Sequence, residues 1–148
     1  MSPIARYVTR ELVELPAGAP CTEAARLMAE ERIGSIAVRD GNSIVGIVTE
    51  RDLVTRVLSI GAPPQLPIRD AMRSDLPWVT PSATASHCTT LMRDHATRHL
   101  LVKEAGRVVG VVSMRDVIRL MLDEKQWLIG QLQNFIEGHD GPHAPLET

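Results

Sequence analysis

The stretch "GIVTERDLV" at residues 46–54 returns sixty-four residues later as "GVVSMRDVI" at residues 110–118. At that one offset Met28 matches Met92, Val38 matches Val102, Gly46 matches Gly110, Arg51 matches Arg115 and Asp52 matches Asp116. Pro3-Ile4 matches Pro67-Ile68 as well, and between these blocks the match slips by one, Pro16 against Pro81. A slip of one residue falls where an insertion costs little, in a loop. A period this long is no solenoid unit. It predicts two copies of one small α/β unit packed about a pseudo-twofold axis.

Each copy reads as β-α-β-β-α. A short strand, Leu12 to Leu15 or Trp78 to Thr80, runs into a proline that cannot continue a ladder. A helix follows at Thr22 to Arg32 or Ala85 to His95, on apolar residues near helical spacing, with Thr84 as an N-cap. Next come a strand, "SIAV" or "HLLV", a turn at Asp40-Gly41-Asn42 or Ala105-Gly106, and a strand, "IVGIV" or "VVGVV". The last strand is apolar throughout, which predicts cover on both faces. The repeated junction then opens a second helix. Gly61 and Pro63-Pro64 stop it in copy one, and in copy two it runs on through "DEKQWLIGQLQNFIEG". The expected divisions are 3–62 for the first repeat, 67–124 for the second, 125–137 for a helical extension and 138–148 for a disordered tail.

Composition narrows the function. The net charge of −2 gives no broad attraction to nucleic acid or anionic membrane. No apolar run approaches the ~20 residues that span a bilayer, and "MSPIARYVTREL" carries no signal-peptide stretch. Cys21 and Cys88 are too few for a disulfide framework, so a reducing cytosol is expected. His95 and His99 stand four apart, but a helix-to-strand break between them separates their faces, and no metal is expected. His87 beside Cys88 lacks an orienting acid, which leaves an enzyme built on Cys and His without its machinery.

The junction itself has two readings. Thr49-x-x-Asp52 and Ser113-x-x-Asp116 match a helix capping box. That box prefers Glu or Gln at its last position and has no use for Arg51 or Arg115. A helix N-terminus also attracts anions, an arginine adds a fork for phosphate, and a carboxylate can hold a ribose diol. Hydroxyl, Arg and Asp beside an apolar cleft describe a nucleoside phosphate site. Gly46 and Gly110 would admit a ligand or another backbone at close range.

The order of these pieces, written twice over roughly residues 3–124, resembles a tandem pair of CBS (cystathionine-β-synthase) domains, a Bateman module. The matching pieces are "GIVTERD" and "GVVSMRD", the "EAARLM" and "TTLM" helices, and "RHLLV". The tail resembles the helical ending of bacterial stand-alone CBS-pair proteins. The resemblance implies a non-catalytic regulatory protein that binds an adenine nucleotide (AMP, ADP, ATP or NAD(H)-like) as a regulatory ligand, with no covalent cofactor. It implies signalling by conformational or oligomeric change, a homodimer and a further protein target. Carried over, Thr49, Arg51 and Asp52 hold phosphate and ribose in copy one, with Ser35, Ile36 and Ala37 near the base. Ser113, Arg115 and Asp116 do so in copy two, with His99, Leu100 and Leu101 near the base. "SIAV" and "HLLV" lack the proline that many relatives carry there, copy one has the longer Pro16–Pro20 loop, and Met114 stands for Glu50. Unequal sites follow, with copy two the tighter. The rival reading is a dimeric scaffold whose junctions are only helix caps.

The last helix carries Leu120, Met121, Leu128, Leu132, Phe135 and Ile136 at mostly helical spacing. Packing onto the protein's own core is the first expectation for this stripe. Contact with a second subunit is the other, because copy one has nothing to mirror it.

Overall fold

The computed structural model describes residues 3–139. It holds two three-stranded sheets of the same plan. In the first, β1 (Glu14–Pro16) lies parallel to β2 (Ser35–Asp40), and β2 is antiparallel to β3 (Ser43–Thr49). In the second, β4 (Trp78–Val79), β5 (His99–Glu104) and β6 (Arg107–Ser113) repeat the order. Val38 faces Gly46 and Val102 faces Gly110, and each register slips once just beyond that pair. The first strand starts two residues later and ends one residue later than the sequence predicts, and it includes Pro16. An edge strand tolerates a residue with no N–H to give.

Helix α1 (Cys21–Glu31) and helix α4 (Ala85–Asp94) link the outer and middle strands. Thr84 caps α4 by accepting from the His87 N–H at 3.2 Å, whereas α1 starts behind Pro20 with no side-chain cap. Both end in the left-handed region at matched positions, Arg32 (φ 55°) and Ala96 (φ 49°). The junction helices differ. Copy one makes a short α2 (Glu50–Leu53) that widens into a π turn at Val54–Leu58. Copy two makes α5 (Met114–His139), 26 residues long and so about 39 Å from end to end.

Burial follows the period of two along the middle strands. Ile36 and Val38 face a core with Cys21, Ala24 and Met28 of α1, while Leu100 and Val102 face Cys88 and Met92 of α4. The opposite faces meet each other through Ile47, Leu101 and Val111. The expected two-sided cover of β3 therefore holds for Ile47 and Val48 but not for Val45, which is exposed.

The two cores exchange their entry segments. Ile4, in a 3₁₀ turn at Ile4–Tyr7, is wholly buried in the second core. Ile68, opening α3 (Ile68–Ala71), is wholly buried in the first. Their backbones are tied alike. The Ile4 N–H donates to the Ala83 carbonyl at 2.9 Å and the Ile68 N–H to the Ala19 carbonyl at 2.8 Å. This reciprocity is what a pseudo-twofold relation between the copies requires.

The stripe on α5 packs onto the chain's own core only at Leu120, and the rest of it does not, contrary to the first expectation. Val117 and Leu120 are buried, but Met121, Leu128, Leu132, Phe135 and Ile136 are exposed. Beyond Leu120 the helix outruns the body that would cover it. Near its root the Tyr7 hydroxyl donates to Asp123. The tail expected from residue 138 begins inside α5, and its part after His139 lies outside the described residues.

Candidate functional site

Thr49 and Ser113 each end a strand and begin a helix, so their side chains stand beside unpaired backbone N–H groups. Both capping boxes are closed. The Thr49 N–H donates to Asp52 Oδ2 at 2.8 Å, and the Asp52 N–H donates to Thr49 Oγ1 at 3.1 Å. The Ser113 N–H donates to Asp116 Oδ2 at 2.8 Å, and the Asp116 N–H donates to Ser113 Oγ at 3.2 Å. The short aspartate reaches the cap without Glu. Each box uses one carboxylate oxygen. The other, Oδ1, lies 3.9 Å from a nitrogen of Arg56 in copy one and of Arg119 in copy two, beyond hydrogen-bond range. Arg51 and Arg115 take no part in the boxes and have no ion-pair partner among the described residues.

Both junctions open into clefts, and each cleft is built from both repeats. The second junction (Ser113, Arg115, Asp116) faces a cleft of about 1070 Å³ whose far wall is Met28, Arg32 and Ile33 at the end of α1. Its floor includes Val13, Ser35, Ala37, Ile47 and Val111. The first junction (Thr49, Arg51, Asp52) faces a cleft of about 580 Å³ walled by Met92, Arg93 and Ala96 at the end of α4, with Arg73 and Leu76 at one side. The sequence assigns Ser35 to Ala37 to the first junction. In space Ser35 and Ala37 border the second, because the sheets meet face to face and each middle strand reaches the neighbouring site. Ile36 and Leu100 line neither cleft, since strand alternation turns them into their own cores. Leu101 packs between the sheets.

Gly34, Glu50, Arg98 and His99 border both clefts. His99 thus stands on the divide between the junctions. Burial lowers its pKa from the ordinary 6.5, while Asp52, Asp116 and Glu50 pull the other way and Arg98 adds to the lowering. Sequence reasoning missed Arg32, Arg98 and Glu50 as wall residues. The available signal was the helix-to-strand turn, written "ERIGS" and "ATRHL": Arg32 to Ser35 border the second-junction cleft and Ala96 to His99 the first. His95, the other half of the candidate pair, has its Nδ1 3.0 Å from the Leu91 carbonyl oxygen at the end of α4.

Of the two uses open to the junction glycines, close backbone approach is the one observed. A methyl group at Gly110 would meet Val8 and the Thr9 carbonyl, and one at Gly46 would meet Met72, the matched residue of the other entry segment. The two cysteines are buried thiols without a disulfide, and burial raises Cys88 to about 11. Neither borders a cleft. Among the described residues no group of three or more His, Cys, Asp or Glu is arranged to hold a metal, and no helix is long and apolar enough to cross a membrane.

Comparison with known proteins agrees with this architecture. A putative signal-transduction protein with CBS domains from Burkholderia ambifaria matches with a TM-score of 0.77 at 29% identity, over 82% of this chain and 95% of that one. An uncharacterized conserved protein from Pyrococcus horikoshii matches with a TM-score of 0.75 at 28% identity, over 81% and 92%. The CBS domain-containing protein YhcV of Bacillus subtilis is 26% identical over 117 residues, 79% of this chain and 84% of its own. The CBS domain model matches twice, at residues 4–59 and 68–123. With its two matched halves, reciprocal entry segments and paired sheets, the chain belongs to the CBS domain family as a tandem pair.

Proposed function

We propose that this protein is a non-catalytic sensor that binds an adenine nucleotide in the clefts between its repeats. The observation that carries the reading is the second junction. There a helix N-terminus, a partly used carboxylate and an arginine with no ion-pair partner among the described residues open on one large, partly apolar cleft. Phosphate would meet the α5 N-terminus and Arg115, and the open Asp116 oxygen would take a ribose hydroxyl. Because each cleft has one wall from each repeat, a ligand would favour one arrangement of the two halves. That shift, read by a protein partner, is the signal. A reducing cytosol suits the two free thiols.

The same reading includes self-association. Leu122, Ile129 and Ile136 recur every seven residues on α5, as do Met121, Leu128 and Phe135, and all six are exposed. A seven-residue apolar step fits the helix of a second copy. One neighbour in fold, at 23% identity, is a hexameric CBS-CP12 protein from cyanobacteria, so the fold is compatible with assembly.

The scaffold reading is favoured by one specific observation, the closure of both capping boxes without a ligand. Thermal shift against AMP, ADP, ATP, NAD(H) and S-adenosylmethionine separates the two. A rise in melting temperature with an adenine nucleotide is expected, and no rise with any of them would leave the scaffold standing.

A further inference from the structure

The two clefts are copies related by the sixty-four-residue offset, so their differences can be read position by position. The phosphate ends match: Thr49, Arg51 and Asp52 in one, Ser113, Arg115 and Asp116 in the other. The other ends do not. The second-junction cleft is bordered by Val13, Ile33 and Ala37. The matched residues for the first are Pro77, Thr97 and Leu101. Of these, only Thr97 borders it.

The decisive pair is Ala37 and Leu101. Both are odd-facing residues of a middle strand, turned away from the helices and toward the other sheet. Ala37 is small and borders the cleft together with Ile47 and Val111, although both of those are buried. Leu101 is three carbons larger and packs directly on Ile47 and Val111. Leucine therefore occupies the volume that alanine leaves open on the opposite side of the pseudo-axis. His99 in place of Ser35 adds bulk at the same edge. The first cleft is about half the size of the second, and Leu76 and Met92 are its main apolar side chains. The smaller volume leaves less room for a nucleobase beyond the phosphate end of the first cleft.

We infer that Leu101 closes the first cleft to a nucleobase, so that each chain binds one adenine nucleotide, in the second cleft, between Ser113–Asp116 and Ala37. The inference rests on the nucleotide reading above. Isothermal titration of the full chain with AMP, and separately with ATP, tests it. One site per chain is expected. Leu101→Ala opens the first cleft and gives two. Ala37→Leu fills the second and weakens AMP at least tenfold, and it decides the matter if Leu101→Ala does not fold. Two sites in the wild type, or wild-type binding by Ala37→Leu, would overturn the inference and leave the nucleotide reading intact. Absence of heat with either nucleotide, together with no thermal shift, would remove both.

Discussion

Gly110 lies so close to Thr9 that a methyl group on its Cα would stand 2.6 Å from the Thr9 carbonyl oxygen and 2.5 Å from Val8 Cγ1. Beside it Thr9 and Val111 exchange two backbone hydrogen bonds, at 2.9 and 3.0 Å. The entry segment is thus stitched to β6, and backbone cannot yield as a side chain does. Gly110→Ala is expected to destabilise the fold by about 3 kcal/mol, the upper range for overpacking. At Gly46 the nearest atom is Met72 Sδ at 3.1 Å, the end of a flexible side chain. Gly46→Ala should cost about 1 kcal/mol or less. Urea denaturation of both variants checks the ranking, and equal losses would contradict it.

Arg115 separates binding from capping. The Ser113–Asp116 box is complete without it. Arg115→Ala should therefore leave the apo melting temperature unchanged and weaken AMP by about 1.5–3 kcal/mol, the range for a lost charged hydrogen bond. Adenosine, which lacks the phosphate, should bind the variant as it binds the wild type. Calorimetry with both ligands reads this directly. A lower apo melting temperature with AMP affinity intact would assign the guanidinium to structure.

His99 gives the fold a pH dependence whose sign is fixed by its surroundings. Burial lowers its folded-state pKa below 6.5. Its neutral form therefore stabilises the fold above about pH 6.5, and that contribution is lost as pH falls through the lower folded value. Replacing the ring, as in His99→Gln, should flatten the part of the stability profile that falls away below about pH 6.5. An NMR titration of the ring should give a midpoint under 6.5. A midpoint above 6.5 would show that Asp52, Asp116 and Glu50 outweigh desolvation. Phosphate in the adjoining cleft adds negative charge, so AMP should raise the midpoint and bind more tightly as pH drops.

Deleting residues 125–148 should not uncover the core, because none of residues 125–137 is buried within the chain. The truncated protein should keep its CBS-pair fold by circular dichroism and lose self-association in sedimentation velocity. If its assembly mass equals that of the full chain, α5 is not the seam between copies.

Much of this architecture is legible in the repeat. Equal offsets at Gly46/Gly110 and Asp52/Asp116 give two equivalent strand-to-helix junctions, whereas grouping Ile36 with Ala37 and Leu100 with Leu101 near the base overlooks the strand alternation that turns Ile36 and Leu100 into their own cores. What local pattern cannot give is which repeat a segment joins. Pro3-Ile4 and Pro67-Ile68 read as the first residues of their own copies, yet each is held by the other, since burial is decided by partners far along the chain. The site has the same history. The capping pairs Thr49–Asp52 and Ser113–Asp116 are legible from spacing alone. Arg32, Arg98 and the crossing of Ser35 and Ala37 to the second junction depend on how the sheets face each other. The outward turn of Leu128 and Phe135 on α5 was hidden because helical periodicity reports a stripe and not what covers it.

The exchange of Ile4 and Ile68 also sets an order of events as the chain leaves the ribosome. The first repeat cannot close its core until Ile68 and Ala71 have emerged. Ile4 emerges before either repeat, but its neighbours run from Val79 to Leu120. At roughly 5–20 residues per second, the turn at Ile4–Tyr7 waits several seconds or more for its seat. Throughout that interval the Ile4 side chain depends on chain not yet made, and nascent protein stalled before Leu120 should be the form that chaperones hold.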